Sequence, residues 1–207
     1  MITLKHRHTD SSAAAGCPFL RHRSPAHFGS TPKIYHSTNK LFPHIDVYQY
    51  EPTQARPFHT LITGGMAEYR QPVNEGPTRL ELMIYVRTFE WWGANLLKVI
   101  AEYPAQNETF FAAYHTVPIG CRLTDTAEII AFLLAPAETE DLSRLSISFE
   151  SEPVDYLVCV PITMIEYAFA REVSSEQIYE RLKQADAFIH TDDERRSLVN
   201  YTPRETK

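Results

Sequence analysis

The stretch from residue 44 to residue 86 constrains the fold more than any other. It contains "HIDVYQYEP", "FHTLITGG" and "TRLELMIYV", three runs rich in aromatic and β-branched residues, the composition of strands. Between them lie segments punctuated by Pro52, Pro57, Pro72, Gly76 and Pro77, too short and turn-rich to hold a helix. Strands joined without a crossover helix return antiparallel beside one another. In the third run Leu80, Leu82 and Ile84 alternate with Glu81, Met83 and Tyr85, which predicts a half-buried strand.

Downstream, "EWWGANLLKVIAEYP" sets Trp92, Leu96, Val99 and Tyr103 near helical spacing. The spacing predicts a helix that ends at Pro104, turns that face inward and anchors the core through Trp91 and Trp92. "EIIAFLLAP" reads as a central strand, and "LSISF" and "YLVCVPI" as two more. The last third turns helical. Thr163 stands three residues before Glu166 in a capping box, Ser174 repeats the device with Gln177, and Thr191 with Glu194 opens a last short helix. Strands first and helices last make an α+β fold, a mixed and largely antiparallel sheet packed against helices. Residues 1–38 show no period of 2 or 3.6 and read as a basic, disordered tail ahead of one domain over 39–207.

Charge divides the chain the same way. Residues 1–40 carry six Lys or Arg against one acid, whereas the remainder carries 14 basic against 25 acidic residues. An acidic body disfavours nucleic acid, whose phosphates need a basic stripe, so no nucleic-acid partner is expected, and it suits a basic protein partner. No apolar stretch reaches the roughly 18–20 residues of a membrane-spanning helix, so no membrane role is expected. Cys17, Cys121 and Cys159 are odd in number and far apart, which argues against a disulfide framework and fits a reducing, cytoplasmic compartment. The residues before Ala14-Ala15-Gly16-Cys17 lack an apolar core, so no secretion signal is read there.

Motifs for chemistry are sparse. Gly64-Gly65 is followed by Met66, with neither the Lys-Ser or Lys-Thr of a phosphate loop nor the glycine spacing of a dinucleotide fold. The pair is expected to serve structure, ending a strand where positive φ or close backbone approach is required. His115 lies among apolar and aromatic residues, with Cys121 six positions on and Cys159 on a later strand, leaving a cysteine/histidine-dependent hydrolase as the alternative function. No Gly-x-Ser-x-Gly elbow accompanies it. Asp46 and Glu166 have no spacing that would force them into an acid-base pair. His6, His8, Cys17 and His22 match no zinc pattern, and no cofactor motif is present, so neither metal nor cofactor is expected.

The order of the segments carries a resemblance. A Thr-Leu-x-Thr-x-Gly-Met turn (Thr60 to Met66), Glu81-Leu82-Met83-Ile84, the aromatic helix, His115-Thr116-x-Pro118 and Pro161-Ile162-x-x-x-Glu166 together resemble the suppressor of fused domain in its stand-alone bacterial form, over about Leu41 to Ala187. The family's turn more often reads Ser-Gly-Met and its later motif Gly-His-Thr, where this chain has Gly64-Gly65-Met66 and Tyr114-His115-Thr116. The resemblance implies binding rather than catalysis. In animals the domain is the amino-terminal half of a protein that grips a short peptide of Hedgehog-pathway transcription factors, with a second domain that this chain is too short to contain. Bacterial relatives are often encoded near polymorphic toxins, which implies an immunity protein that neutralises a cognate, basic toxin. By position, Tyr103, Tyr114, His115 and Thr116 match the part of the animal domain that faces its peptide.

Overall fold

The computed structural model describes residues 28–29, 31–38, 42–88, 91–120, 128–137, 148–187 and 195–203, with Trp91 and Trp92 described in backbone only. Nine strands are described: β1 (Lys33–Tyr35), β2 (Asp46–Tyr50), β3 (His59–Gly64), β4 (Leu80–Val86), β5 (Thr116–Pro118), β6 (Ile129–Pro136), β7 (Ser148–Phe149), β8 (Glu152–Pro153) and β9 (Asp155–Thr163). Three α-helices join them, α1 (Trp91–Gln106), α2 (Met164–Glu172) and α3 (Ser175–Gln184), with a single 3-10 turn over Met66–Glu68.

The runs at 44–86 become β2, β3 and β4, paired antiparallel in sequence order, with Tyr48 opposite Ile62 and Leu61 opposite Ile84. The whole sheet runs β1-β2-β3-β4-β9-β6-β5, and only β4 with β9 is parallel. Mixed and mostly antiparallel, the sheet carries α1 on one face and α2 with α3 on the other. β7 and β8 form a separate two-stranded hairpin.

Cover on both faces overturns the half-buried reading of β4, whose seven residues are all buried. Leu80, Leu82 and Ile84 join Val47, Leu61 and Phe132 under α1, while Met83 and Tyr85 join Tyr48, Val158 and Tyr179 toward α2 and α3. Alternation in sequence separates the two faces of a strand, but whether the second face is wet depends on helices that lie far along the chain.

α1 corrects two expectations. Its inward stripe is Ala94, Leu97, Ile100 and Ala101, while Val99 and Tyr103 stand about half exposed. Both stripes satisfy a 3.6-residue period, and the small Ala94 and Ala101 let the helix sit close on the sheet. The helix also passes Pro104 to end at Gln106. Proline removes one amide bond, and near a helix end the loss is small, because Asn107 still bonds the Tyr103 carbonyl through its backbone N–H (3.1 Å) and side chain (2.9 Å).

The N-terminal boundary moves as well. Ile34 pairs with Tyr48 in β1, Tyr35 is buried, and Phe28 packs its ring 4.3 Å from that of Tyr50. The fold therefore includes residues expected to belong to a tail ending at 38. A three-residue strand beside isolated aromatics has too little period to register in sequence. His6, His8, Cys17 and His22, Cys121 and the helix start at Thr191 fall outside the described residues.

Pro161 sits within β9 without breaking it. β4 pairs only with Asp155–Val158, and the Pro161 carbonyl accepts from Arg195 Nη2 at 2.9 Å. In a strand the amide nitrogen and carbonyl of one residue face the same way, so the missing N–H lies on the side away from β6.

Candidate functional site

The segment after α1 brings the four residues singled out in the sequence to one place. After Gln106 the chain turns through Glu108 at φ 49° and Tyr114 at φ 67° before entering β5. Two residues with no sequence signal hold this path. Buried Gln71 accepts from the Phe111 N–H at 2.7 Å and donates to the Phe111 carbonyl at 3.1 Å, and Tyr69 Oη donates to the Thr109 carbonyl at 3.3 Å. At the far end, Tyr114 N–H donates to the Leu134 carbonyl (2.7 Å) and the His115 carbonyl accepts from Leu134 N–H (2.8 Å).

The result is an open cleft of about 330 Å³ lined by Tyr103, Phe110, Phe111, Tyr114, His115 and Thr116 on one side, with Arg171 of α2 and Ser175 of α3. Its walls are largely aromatic. Tyr103 stacks parallel to Phe111 with centroids 6.1 Å apart, the His115 ring lies 5.3 Å from Phe110, and Tyr114 meets Tyr179 edge-on at 5.4 Å. Tyr103 (49%) and Phe110 (40%) remain substantially exposed where they line the cleft. Partial burial lowers the pKa of His115 below its ordinary value, so the imidazole is neutral at neutral pH.

β5 borders this cleft and is the last strand of the sheet among the described residues. His115 through its carbonyl and Ile119 through its N–H both bond toward β6. Alternate residues of a strand point their backbone groups to opposite sides, so Thr116 turns its N–H and C=O outward. Among the described residues this leaves one outward-facing donor and acceptor pair, at Thr116, beside aromatic walls.

The structural residues form two carboxylate-centred knots. Gly65 has φ 115°, and a Cβ there would lie 2.1 Å from the His44 carbonyl oxygen, so only glycine fits. Gly64 ends β3. The turn that follows is organised by Glu81: one carboxylate oxygen accepts from the N–H groups of Gly65 (2.9 Å) and Ala67 (3.1 Å), and the other from the Thr63 hydroxyl (2.6 Å). The Gly-Gly-Met turn thus cradles an anion, but the anion is the protein's own. Burial pushes the Glu81 pKa up to about 7 against the pull of those hydrogen bonds.

Near α2, Thr163 and Glu166 form a reciprocal capping box. Glu166 is also clasped by Arg195 at 2.6 and 2.8 Å and accepts from Leu198 N–H at 2.8 Å, which docks the C-terminal segment on the helix. Arg195 and the bonds to Thr163, Leu198 and Arg195 hold the carboxyl below its ordinary range despite burial. At the next helix Ser174 accepts from Gln177 N–H at 3.2 Å.

A hydrolytic pairing of His115 with Cys159 does not assemble. Cys159 is buried under α1 with Leu134 and Leu157, and burial drives its thiol far above the usual range, so it holds its proton. Asp46 and Glu166 also stay apart in role: Asp46 binds the His36 ring (3.0 Å) and Ser37 N–H (3.0 Å), while Glu166 serves Arg195. Among the described residues no group of three His, Cys, Asp or Glu is placed to hold a metal, and no helix is long and apolar enough to cross a membrane.

Comparisons with known proteins agree with this architecture. The family model described as Suppressor of fused protein (SUFU) matches residues 42–196. No curated protein matches the chain. Among solved structures, a suppressor of fused homolog from Neisseria gonorrhoeae aligns with 18% identity and a TM-score of 0.65, over 84% of this chain and 92% of that one. A Sufu–Fu complex aligns with 18% identity and a TM-score of 0.67, over 89% and 93%. Drosophila Suppressor of Fused aligns with 18% identity and a TM-score of 0.58, over 74% of this chain and 42% of that chain. A sheet covered on both faces, the Gly-Gly-Met turn tied to the Glu-Leu-Met-Ile strand through Glu81, and a family match across three-quarters of the residues lead to one assignment: this chain belongs to the suppressor of fused protein family.

Proposed function

We propose that this protein is a non-catalytic binding module that captures an extended segment of a partner protein along the open edge of β5, with the partner's side chains seated in the adjoining cleft. The carrying observation is the convergence of Tyr103, Tyr114, His115 and Thr116 on one cleft beside a sheet edge that no strand pairs with among the described residues. Strand addition supplies affinity through backbone hydrogen bonds and specificity through pockets for alternate side chains. Exposed tyrosine and phenylalanine rings give such a site contact area at low entropic cost. The Sufu–Fu complex supports the reading, because there a protein of this fold is bound to another protein.

The partner we favour is a basic toxin that this protein neutralises as an immunity protein in the cytoplasm. The acidic body supports it, since opposite charge speeds encounter and disfavours wrong partners. The test is affinity capture from the native cells followed by titration of the purified partner. A basic protein should bind at one-to-one stoichiometry, and Thr116→Pro should abolish binding while leaving the melting temperature unchanged, because the outward N–H is the one it deletes. A partner that binds the proline variant as tightly as the parent would overturn docking at β5.

A further inference from the structure

We propose that the cleft selects its occupant by a carboxylate: the captured segment presents an Asp or Glu side chain to the Arg171 guanidinium, two residues along the strand from an apolar or aromatic side chain that packs between the rings. This rests on the binding reading above and adds the chemistry of the bound segment.

Arg171 is the arginine that lines the cleft, and it differs from several arginines of the fold that are already engaged. Arg70 and Arg79 pair with Glu152, Arg195 is spent on Glu166, Arg56 lies over the rings of Phe28 and Phe58, and Arg181 lies over Phe169. Arg171, exposed in the last turn of α2, lines the cleft and has no carboxylate, acceptor or ring partner among the described residues. Acids that could have neutralised it are turned elsewhere: Glu172 accepts from Tyr201 Oη at 2.7 Å and Glu176 from Ser174 Oγ at 2.9 Å. Arg171 thus holds a positive charge with no partner among the described residues at the rim of an aromatic cleft, where a carboxylate on a bound segment can pair with it. The neutral His115 adds no competing charge.

The geometry suits a side-chain carboxylate on an added strand. Guanidinium binds carboxylate through two parallel hydrogen bonds, a match that ammonium cannot reproduce. On a strand paired with Thr116, side chains two residues apart lie on the same side, separated by roughly 7 Å. One can reach Arg171 while its neighbour enters the space between Tyr103, Phe110 and Tyr114. The long-range field and the cleft therefore ask different things of the partner: a basic surface overall, and a short stretch that carries an acid beside an apolar residue.

Selection from displayed random peptides of about twelve residues, embedded between fixed flanks so that no free C-terminus is presented, tests this on the whole chain. The parent should enrich an acid two positions from Phe, Tyr, Trp or Leu. Those peptides should bind Arg171→Gln at least about tenfold more weakly, the loss expected for a hydrogen-bonded charge pair. Arg171→Glu should instead enrich Lys or Arg at the same position. The double variant Tyr103→Ala/Phe110→Ala should lose the peptides altogether. These side chains are exposed, and thermal melts verify that each variant folds.

Peptides that need Tyr103 and Phe110 but show no preference for an acid, or that bind Arg171→Glu equally, overturn the carboxylate proposal and leave strand capture standing. Peptides that bind only when given a free C-terminus overturn it too, because the carboxylate would then be a chain end. Failure to select any peptide sensitive to the cleft variants overturns both readings.

Discussion

At the scale of single residues, Glu81 and its neighbours define how the turn is held. Thr63 Oγ1 sits 2.6 Å from Glu81 Oε2 and 3.3 Å from the Leu82 carbonyl, and accepts from Leu82 N–H at 2.8 Å. Its hydroxyl can donate to an ionised Glu81, or rotate toward Leu82 and accept from a protonated one, so both charge states keep a partner. The folded pKa of about 7 lies above the value of 4.5 for a free side chain. Stability from this group is therefore fully present below pH 4.5 and is lost as pH rises toward 7, a change on the order of 3 kcal/mol. Glu81→Gln, with its amide donating to Thr63, should flatten this dependence between pH 5 and 8, read from urea denaturation curves at each pH. Glu81→Ala should cost about 3 kcal/mol or more at all pH values, because it orphans the Gly65 and Ala67 amides. If Glu81→Gln keeps the parent's pH slope, the carboxyl is not the group responsible. Glu81 entered the sequence reading only as part of the Glu-Leu-Met-Ile motif and as the outward side of a half-buried strand; its role in holding the turn left no signal there.

At the scale of elements, α1 separates what periodicity fixes from what packing decides. Trp92, Leu96, Val99 and Tyr103 fit a helical stripe as well as Ala94, Leu97, Ile100 and Ala101 do, and the second set is buried. A helix with apolar residues on more than one face, one of which lines a cleft, satisfies the period in two ways, so the period names a helix but not its inner face. Leu97→Ala should cost about 2–5 kcal/mol in chemical denaturation, whereas Val99→Ala should stay within about 0.5 kcal/mol. Equal costs would mean that the helix is rotated from this arrangement. The capping signals were more legible. Thr163 with Glu166 announced the start of α2 correctly because a cap is a local device, satisfied within one turn. Arg195, which completes that knot from 29 residues away, left no trace in sequence.

At the scale of the whole molecule, the N-terminal residues belong to the fold further back than their composition suggests. Phe28 and Tyr35 are buried, and Asp46, itself buried, relies on His36 and on the Ser37 amide. A chain lacking residues 1–38 should therefore be less stable than one lacking only 1–27 by at least about 4 kcal/mol, the order expected for removing two buried rings and leaving the buried Asp46 carboxylate with His44, at 3.4 Å, in place of His36 and the Ser37 amide. Equal thermal melts of the two truncations would place the edge of the domain after residue 38. The sequence by itself determined the strand runs at 44–86, their antiparallel return, the starts of α2 and α3 and the glycine turn, because each follows from contacts within a few residues of chain. Only the tertiary structure decided which face of α1 is inward, that β4 is covered twice, and that Tyr103, Tyr114, His115, Thr116 and Arg171 share one cleft. Those outcomes depend on surfaces brought together from distant parts of the chain, where burial favours one arrangement among several that the local pattern allows equally.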